Sequence, residues 1–196
     1  MTELLKDKVC IITGAGKGIG LAMVKVFIDN GAKLAVITRS QEDIDSLNTE
    51  FIDEGKKFMA MCGDVSESDT VNRFVDEVIN KYGRVDVLVN NAGMRFRKKF
   101  AEITCEEFKK VLDVNLLSVF FLSQAVLPTM VKQNAGKIIN ISSIAGTQGF
   151  SELSGYVTSK AAIIGLTKSL AVEYAGHNVQ INAIAPGFCK TSYFDN

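Results

Sequence analysis

Six apolar runs of strand length punctuate the chain: "KVCIIT" (8–13), "KLAVIT" (33–38), "KFMAM" (57–61), "RVDVLVN" (84–90), "GKIINIS" (136–142) and "VQINAIAP" (179–186). They are nearly continuous rather than alternating, as strands covered on both faces are. Longer segments with a helical repeat lie between them. Strand and helix in alternation predict parallel βαβ units in place of hairpins, and hence a doubly wound α/β sheet of six strands. Three helix starts carry cap signals: Ser40 before Asp43, Ser66 before Asp69, and Thr104 before Glu107. "CEEFKKVLDVNLLSVFFLSQAVL" (105–127) and "SGYVTSKAAIIGLTKSLAVEY" (154–174) each read as one helix. Their apolar stripes exceed what covering one side of a sheet requires. Core packing accounts for most of each stripe, and the remainder fits a contact between subunits.

Composition narrows the class of partner. A chain of 196 residues, 47% of them hydrophobic, suffices for one sizeable core, so a single domain over 1–196 is expected. Lys plus Arg (22) balance Asp plus Glu (22), so charge gives no reason to expect nucleic acid or an anionic membrane as partner. A small molecule is the expected partner. "MTELLKDKVC" carries charges where a signal peptide needs an apolar run, and no later stretch is expected to be long and uncharged enough to cross a bilayer. The expected location is cytoplasmic. Cys10, Cys62, Cys105 and Cys189 are scattered and His177 is the only histidine, so reduced thiols and no metal site are expected.

The first candidate for chemistry is "TGAGKGIG" (Thr13 to Gly20), between the first strand and a helical pattern. Glycines there let the backbone approach a ligand, and the helix N-terminus offers free N–H donors, so a pyrophosphate fits. Read without that ligand, the loop is a tight turn. The end of the second strand selects the nucleotide: an acidic residue there would bind the ribose hydroxyls of NAD, but Thr38 and Arg39 occupy the place. Arg39, with Lys17 as a second cation, suits a 2′-phosphate, which favours NADP(H) over NAD(H). The alternative for both is a solvated surface cation.

The second candidate is "SGYVTSK", which puts Tyr156 and Lys160 on one helix face, with Ser142 and Ser143 at the carboxyl edge of the fifth strand. With "GDV" (63–65), "NNAG" (90–93), "VNL" around Asn115, "ISS", "YVTSK" and "PGFCKT" following the glycine loop in order, the chain resembles the short-chain dehydrogenase/reductase family from residue 8 to about 192. The resemblance implies a three-layer Rossmann fold and hydride transfer between NAD(P)(H) and a carbonyl or secondary alcohol. It implies Tyr156 as acid/base, Lys160 as its activator and a ribose ligand, Asn115 as anchor of a water leading to Lys160, and Ser143 as the hydroxyl that orients the carbonyl. Ser143 is taken over Ser142 for its interval of thirteen residues before the tyrosine. It places cofactor contacts on Gly14, Ala15, Gly16, Lys17, Gly18, Ile19, Gly20, Arg39, Asp64, Val65, Asn91, Ala92, Gly93, Pro186, Gly187 and Thr191, besides Tyr156 and Lys160. It also implies a homo-oligomer, dimer or tetramer, with a homotetramer expected. The chemistry of the residues agrees: forming phenolate from a free tyrosine at pH 7 costs about 4 kcal/mol, which a nearby ammonium lowers. Protonated, the same phenol suits a donor to a carbonyl oxygen.

For the substrate, "MRFRKKF" puts Arg95, Arg97, Lys98 and Lys99 by the site, either as a solvated loop or as carboxylate recognition led by Arg97. The chain looks similar to gluconate-type sugar-acid dehydrogenases and to 3-oxoacyl-[acyl-carrier-protein] reductases. The latter usually place arginines near the positions of Pro128 and Val172, uncharged here, so a small keto or hydroxy acid is the leading expectation and the acyl reductase the alternative. Family members continue beyond "PGFCKTSYFDN" into a lid helix and a last strand. Without these the chain reads as a fragment, as the ordered part of a longer protein, or as a non-catalytic NADP-binding sensor or scaffold.

Overall fold

All six apolar runs are strands in the computed structural model, which describes residues 3–191. They are β1 (Val9–Thr13), β2 (Lys33–Thr38), β3 (Phe58–Cys62), β4 (Val87–Asn90), β5 (Gly136–Ile141) and β6 (Val179–Ile184). Every pairing is parallel and the order across the sheet is β3-β2-β1-β4-β5-β6. The crossovers are carried by α1 (Gly18–Asp29), α2 (Gln41–Glu50), α3 (Ser68–Tyr82), α4 (Cys105–Leu112), α5 (Ser118–Gln133) and α6 (Ser154–Tyr174). Central β1 shows why the runs are continuous. Val9 and Ile11 pack in the layer of Phe74 and Val78 from α3 and Leu122 and Met130 from α5. Cys10 and Ile12 pack on the opposite face with Val24 from α1 and Leu47 from α2. Each fully buried side chain of this size contributes about 1.5–3 kcal/mol, so both faces of the strand must be apolar. Burial pushes the Cys10 thiol up to about 12, which makes it core filler rather than a reactive group.

Two of the three expected caps are present. Ser40 accepts from the Asp43 N–H, and Thr104 with Glu107 forms a reciprocal capping box. The Ser66 cap is a misreading: α3 starts at Ser68, and the Ser66 hydroxyl donates instead to Asp64 Oδ1 at 2.7 Å. A carboxylate two residues upstream is a stronger acceptor for that hydroxyl than a helix N–H is a donor to it.

The segment expected as one helix over 105–127 also differs. It is interrupted by a π-turn at Asp113–Leu117 and runs on to Gln133, with Pro128 inside α5. By length and composition Cys105–Gln133 is apolar enough to cross a membrane, against the expectation that no stretch would be. Part of its apolar surface is spent inside the fold, where Val119, Leu122, Val126, Leu127 and Met130 are buried, while Leu117 and Phe120 stay exposed.

Strand succession reverses between β1 and β4, and at such a switch point the loops after neighbouring strands part to leave a crevice. The glycine loop, the "NNAG" loop and the Ser142–Ser143 segment all leave the sheet at this edge.

Candidate active site

The crevice is a cleft of about 660 Å³, within the range of small-molecule sites. The glycine loop forms one wall. Gly14 takes a φ of +63°, and a Cβ there would lie 2.8 Å from Ala92 Cα, so backbone meets backbone without room for a side chain. Thr13 fastens the two loops: its hydroxyl accepts from the N–H groups of Asn91 and Ala92, and the Asn91 amide donates to the carbonyls of Thr13 and Gly14. A wall of bare backbone beside the start of α1 fits a dinucleotide pyrophosphate.

Tyr156 and Lys160 enter from the first turns of α6. Lys160 is only 4% exposed, its Nζ donates to the Ile141 carbonyl at 2.8 Å, and it lies 5.7 Å from the centre of the Tyr156 ring. Burial lowers its pKa from the ordinary 10.5 to about 8. The two serines part company. Ser142 is buried and donates to the Lys160 carbonyl at 2.8 Å, whereas Ser143 is half-buried and accepts from the Ala145 N–H. Ser143 therefore keeps its hydroxyl proton for the cleft, and Ser142 locks α6 onto β5.

Asn115 sits in the π-turn, fully buried. Its Oδ1 accepts from the Met94 N–H at 2.7 Å, and its Nδ2 donates to the Met94 carbonyl and to the Ser159 hydroxyl, both at 2.9 Å. Ser159 passes the contact on to the Tyr156 carbonyl. The single extra residue of a π-turn swings this amide out of the helical repeat. The side chain thus ties the loop after β4 to α6, with both amide donors used on protein.

Most of the expected cofactor residues are gathered here: Gly14, Gly16, Lys17, Gly18, Ile19, Gly20, Asn91, Ala92, Gly93, Tyr156, Lys160, Pro186, Gly187 and Thr191 line the cleft. Four do not. Ala15 and Val65 are buried in the two core layers, on opposite faces of the sheet, because their apolar side chains turn inward. Arg39 is exposed at the end of β2. Burial works against ionisation of Asp64, but the Ser66 hydroxyl and N–H, with Arg39 beyond them, hold its carboxyl below the usual range. Of the two readings of the arginine loop, solvated surface or carboxylate recognition, both keep a footing, since Arg95 and Arg97 line the cleft and Arg97 is more than half exposed. Arg97 lines the cleft but its guanidinium lies 3.6 Å from Glu152, so a substrate carboxylate has a competitor already in place. Lys98 pairs with Glu107 at 2.8 Å and takes no part.

Sequence reading passed over Asp43, Ile144, Phe150 and Leu153, all of which line the cleft. Only Asp43 had a legible signal, since the Ser40 cap places it in the first turn of α2, just beyond β2.

A doubly wound parallel sheet with a glycine loop, a buried lysine, a tyrosine and a free serine hydroxyl at its switch point defines a nucleotide-dependent oxidoreductase. The short chain dehydrogenase family model matches residues 8–196, and the chain belongs to the short-chain dehydrogenase/reductase family. It is 42% identical to 3-oxoacyl-[acyl-carrier-protein] reductase FabG of Thermotoga maritima, over 95% of this chain and 76% of that protein. It is 36% identical to 2-dehydro-3-deoxy-D-gluconate 5-dehydrogenase of Formosa agariphila, over 96% of this chain and 72% of that protein. Among solved structures, ElxO with NADP bound superposes with a TM-score of 0.91 at 35% identity, covering 96% of this chain and 77% of that one.

Proposed function

We propose that the chain is a single-domain NADP(H)-dependent carbonyl reductase, with Tyr156 as proton donor, acting on a ketone whose flank is apolar, a 3-oxoacyl thioester foremost. The observation that carries the reaction is the placing of Tyr156 and the outward Ser143 hydroxyl on one cleft, with the buried Lys160 ammonium beside the tyrosine ring. When bound, the nicotinamide supplies the hydride. Tyr156 gives its proton to the carbonyl oxygen, and Ser143 donates a hydrogen bond to the charge developing there. Lys160 lowers the cost of the phenolate left behind. Asn115 positions the loop against α6; a water leading to Lys160 would be held by its remaining Oδ1 lone pair or by the main chain. The bare glycine-loop backbone would hold the pyrophosphate, and Arg39 with Lys17 the 2′-phosphate.

For the substrate, the cleft beside Ser143 is walled by Ile144, Phe150 and Leu153, which suits an acyl chain better than a polyol. With Glu152 also standing 3.6 Å from Arg97 as a competitor for a substrate carboxylate, we place the thioester ahead of the sugar acid. The sugar acid is the second reading, supported by Arg95 and Arg97 both lining the cleft. Pro128 and Val172 are exposed and themselves uncharged, which supports a small thioester over one carried on an acidic protein. Exposed Leu117 and Phe120 at the start of α5 support a homo-oligomer.

The reading is tested by mixing the protein with NADPH and a panel of 3-oxoacyl thioesters, sugar acids and simple ketones, and following nicotinamide absorbance. Turnover led by the thioesters is expected. Preference for sugar acids would restore Arg97 to the substrate, and NADPH binding without any turnover would leave a sensor or scaffold.

The two serines give a second check. Ser143→Ala is expected to lower kcat by roughly 10²-fold or more with folding intact. Ser142→Ala is expected to cost about 0.5–1.5 kcal/mol of stability, because it removes a buried hydrogen bond between β5 and α6 while the Lys160 carbonyl keeps its helical partner. Urea unfolding and steady-state rates separate the two, and the opposite pattern would assign the catalytic hydroxyl to Ser142.

A further inference from the structure

We propose that Asp43 sets cofactor preference by holding Lys17 away from an adenosine 2′-phosphate, and so limits the affinity for the phosphorylated dinucleotide. The inference rests on the NADP(H) reading above and adds a residue to it. The Asp43 carboxylate lines the cleft where the glycine loop meets the end of β2, beside Thr38. It packs over Gly16 so closely that a Cβ on that glycine would overlap the carboxyl group. Its Oδ1 lies 3.3 Å from Lys17 Nζ.

The pair is unequal. The Asp43 side chain is 13% exposed and that of Lys17 is 68% exposed. Asp43 is also held from behind: its N–H donates to the Ser40 hydroxyl, and its charge stands in the first turn of α2, at the positive end of the helix. The carboxylate is the fixed member and the ammonium the movable one. A 2′-phosphate seated between Lys17 and Arg39 must draw Lys17 from Asp43 and then sit in the field of a largely buried carboxylate. Neither cost falls on an unphosphorylated dinucleotide, which carries a hydroxyl at that position.

The test is direct binding of NADPH and of NADH, read by nicotinamide fluorescence without any substrate, for the full chain, Asp43→Asn, Asp43→Glu, Lys17→Met and the Asp43→Asn/Lys17→Met double variant. Asp43→Asn is expected to tighten NADPH about three- to ten-fold, the scale of one lost ion pair plus relieved repulsion, and to leave NADH unchanged. The gain should be clearly smaller in the Lys17→Met background, where only the relieved repulsion is left, and shrink at high salt, and Asp43→Glu should behave as the parent chain; a gain of full size without Lys17 would overturn the part given to that lysine. A weakening of NADH alone in Asp43→Asn would make the residue a ribose-hydroxyl ligand and overturn the proposal. So would equal changes for both dinucleotides accompanied by a lower Tm, which is what a merely structural role in α2 produces. Failure of the cofactor reading itself looks different: NADH would then bind more tightly than NADPH in Asp43→Asn as well as in the parent chain.

Discussion

Lys160→Met is expected to abolish turnover and, at neutral pH, to raise the Tm of the cofactor-free protein. The lysine is buried, and its pKa falls from the ordinary 10.5 to about 8 through loss of solvation alone. A shift of that size means that keeping the ammonium charged in the folded state costs roughly 3 kcal/mol at pH 7. Methionine removes that cost but also removes the charge-assisted hydrogen bond to the Ile141 carbonyl, worth about 1.5–2 kcal/mol. The balance favours the variant by about 1 kcal/mol, a Tm rise of roughly 2–4 °C for a chain of this size.

The pH dependence carries the sign. Between about pH 8 and 10.5 the unfolded chain holds the Lys160 proton and the folded chain does not. The unfolded state then binds more protons, so this group makes stability rise with pH. The lysine's penalty is fully present below pH 8 and fades through that window, so the advantage of Lys160→Met should close as pH is raised. Thermal melts of both proteins across the window check this. Equal Tm values at pH 7, or a gap that widens with pH, would mean that the ammonium is not paying a desolvation cost. The stability given up at Lys160 is what a charge placed for catalysis would require.

The scaffold was legible because its causes are local. β2 and α6 fall where the pattern puts them, and the other strands within a few residues, since runs buried on both faces must be apolar throughout and α6 is a long proline-free segment from Ser154 to Tyr174. The Ser40 and Thr104 caps depend on neighbours three residues away and could be read for the same reason. What was not legible depends on distant or competing partners. The break at Asp113–Leu117 adds one residue to a helical turn without disturbing the apolar pattern, and what fixes it is Asn115 reaching Met94 and Ser159 across the fold. Ser66 had the spacing of a cap but a better acceptor in Asp64. Arg97 looked available until the fold brought up Glu152. The choice of Ser143 over Ser142 was made by family resemblance, and the structure supplies the physical difference: one hydroxyl is spent on the Lys160 carbonyl and the other is not.

Tyr156→Phe is expected to carry the other large effect on rate. The variant keeps the ring beside Lys160 and the packing of α6, and it lacks only the phenolic proton. General acid catalysis of this kind contributes roughly 10²–10⁴-fold, so kcat should fall by at least that factor while NADPH binding stays close to that of the parent. Equal losses in binding and rate would instead point to a disturbed fold.

The most direct measurement is therefore single-turnover oxidation of NADPH by a 3-oxoacyl thioester, comparing the parent chain with Tyr156→Phe at saturating cofactor. The account predicts decay of nicotinamide absorbance with the parent and almost none with the variant, both having bound NADPH to the same extent. Equal decay in the two would remove Tyr156 from the chemistry and with it the proposed mechanism.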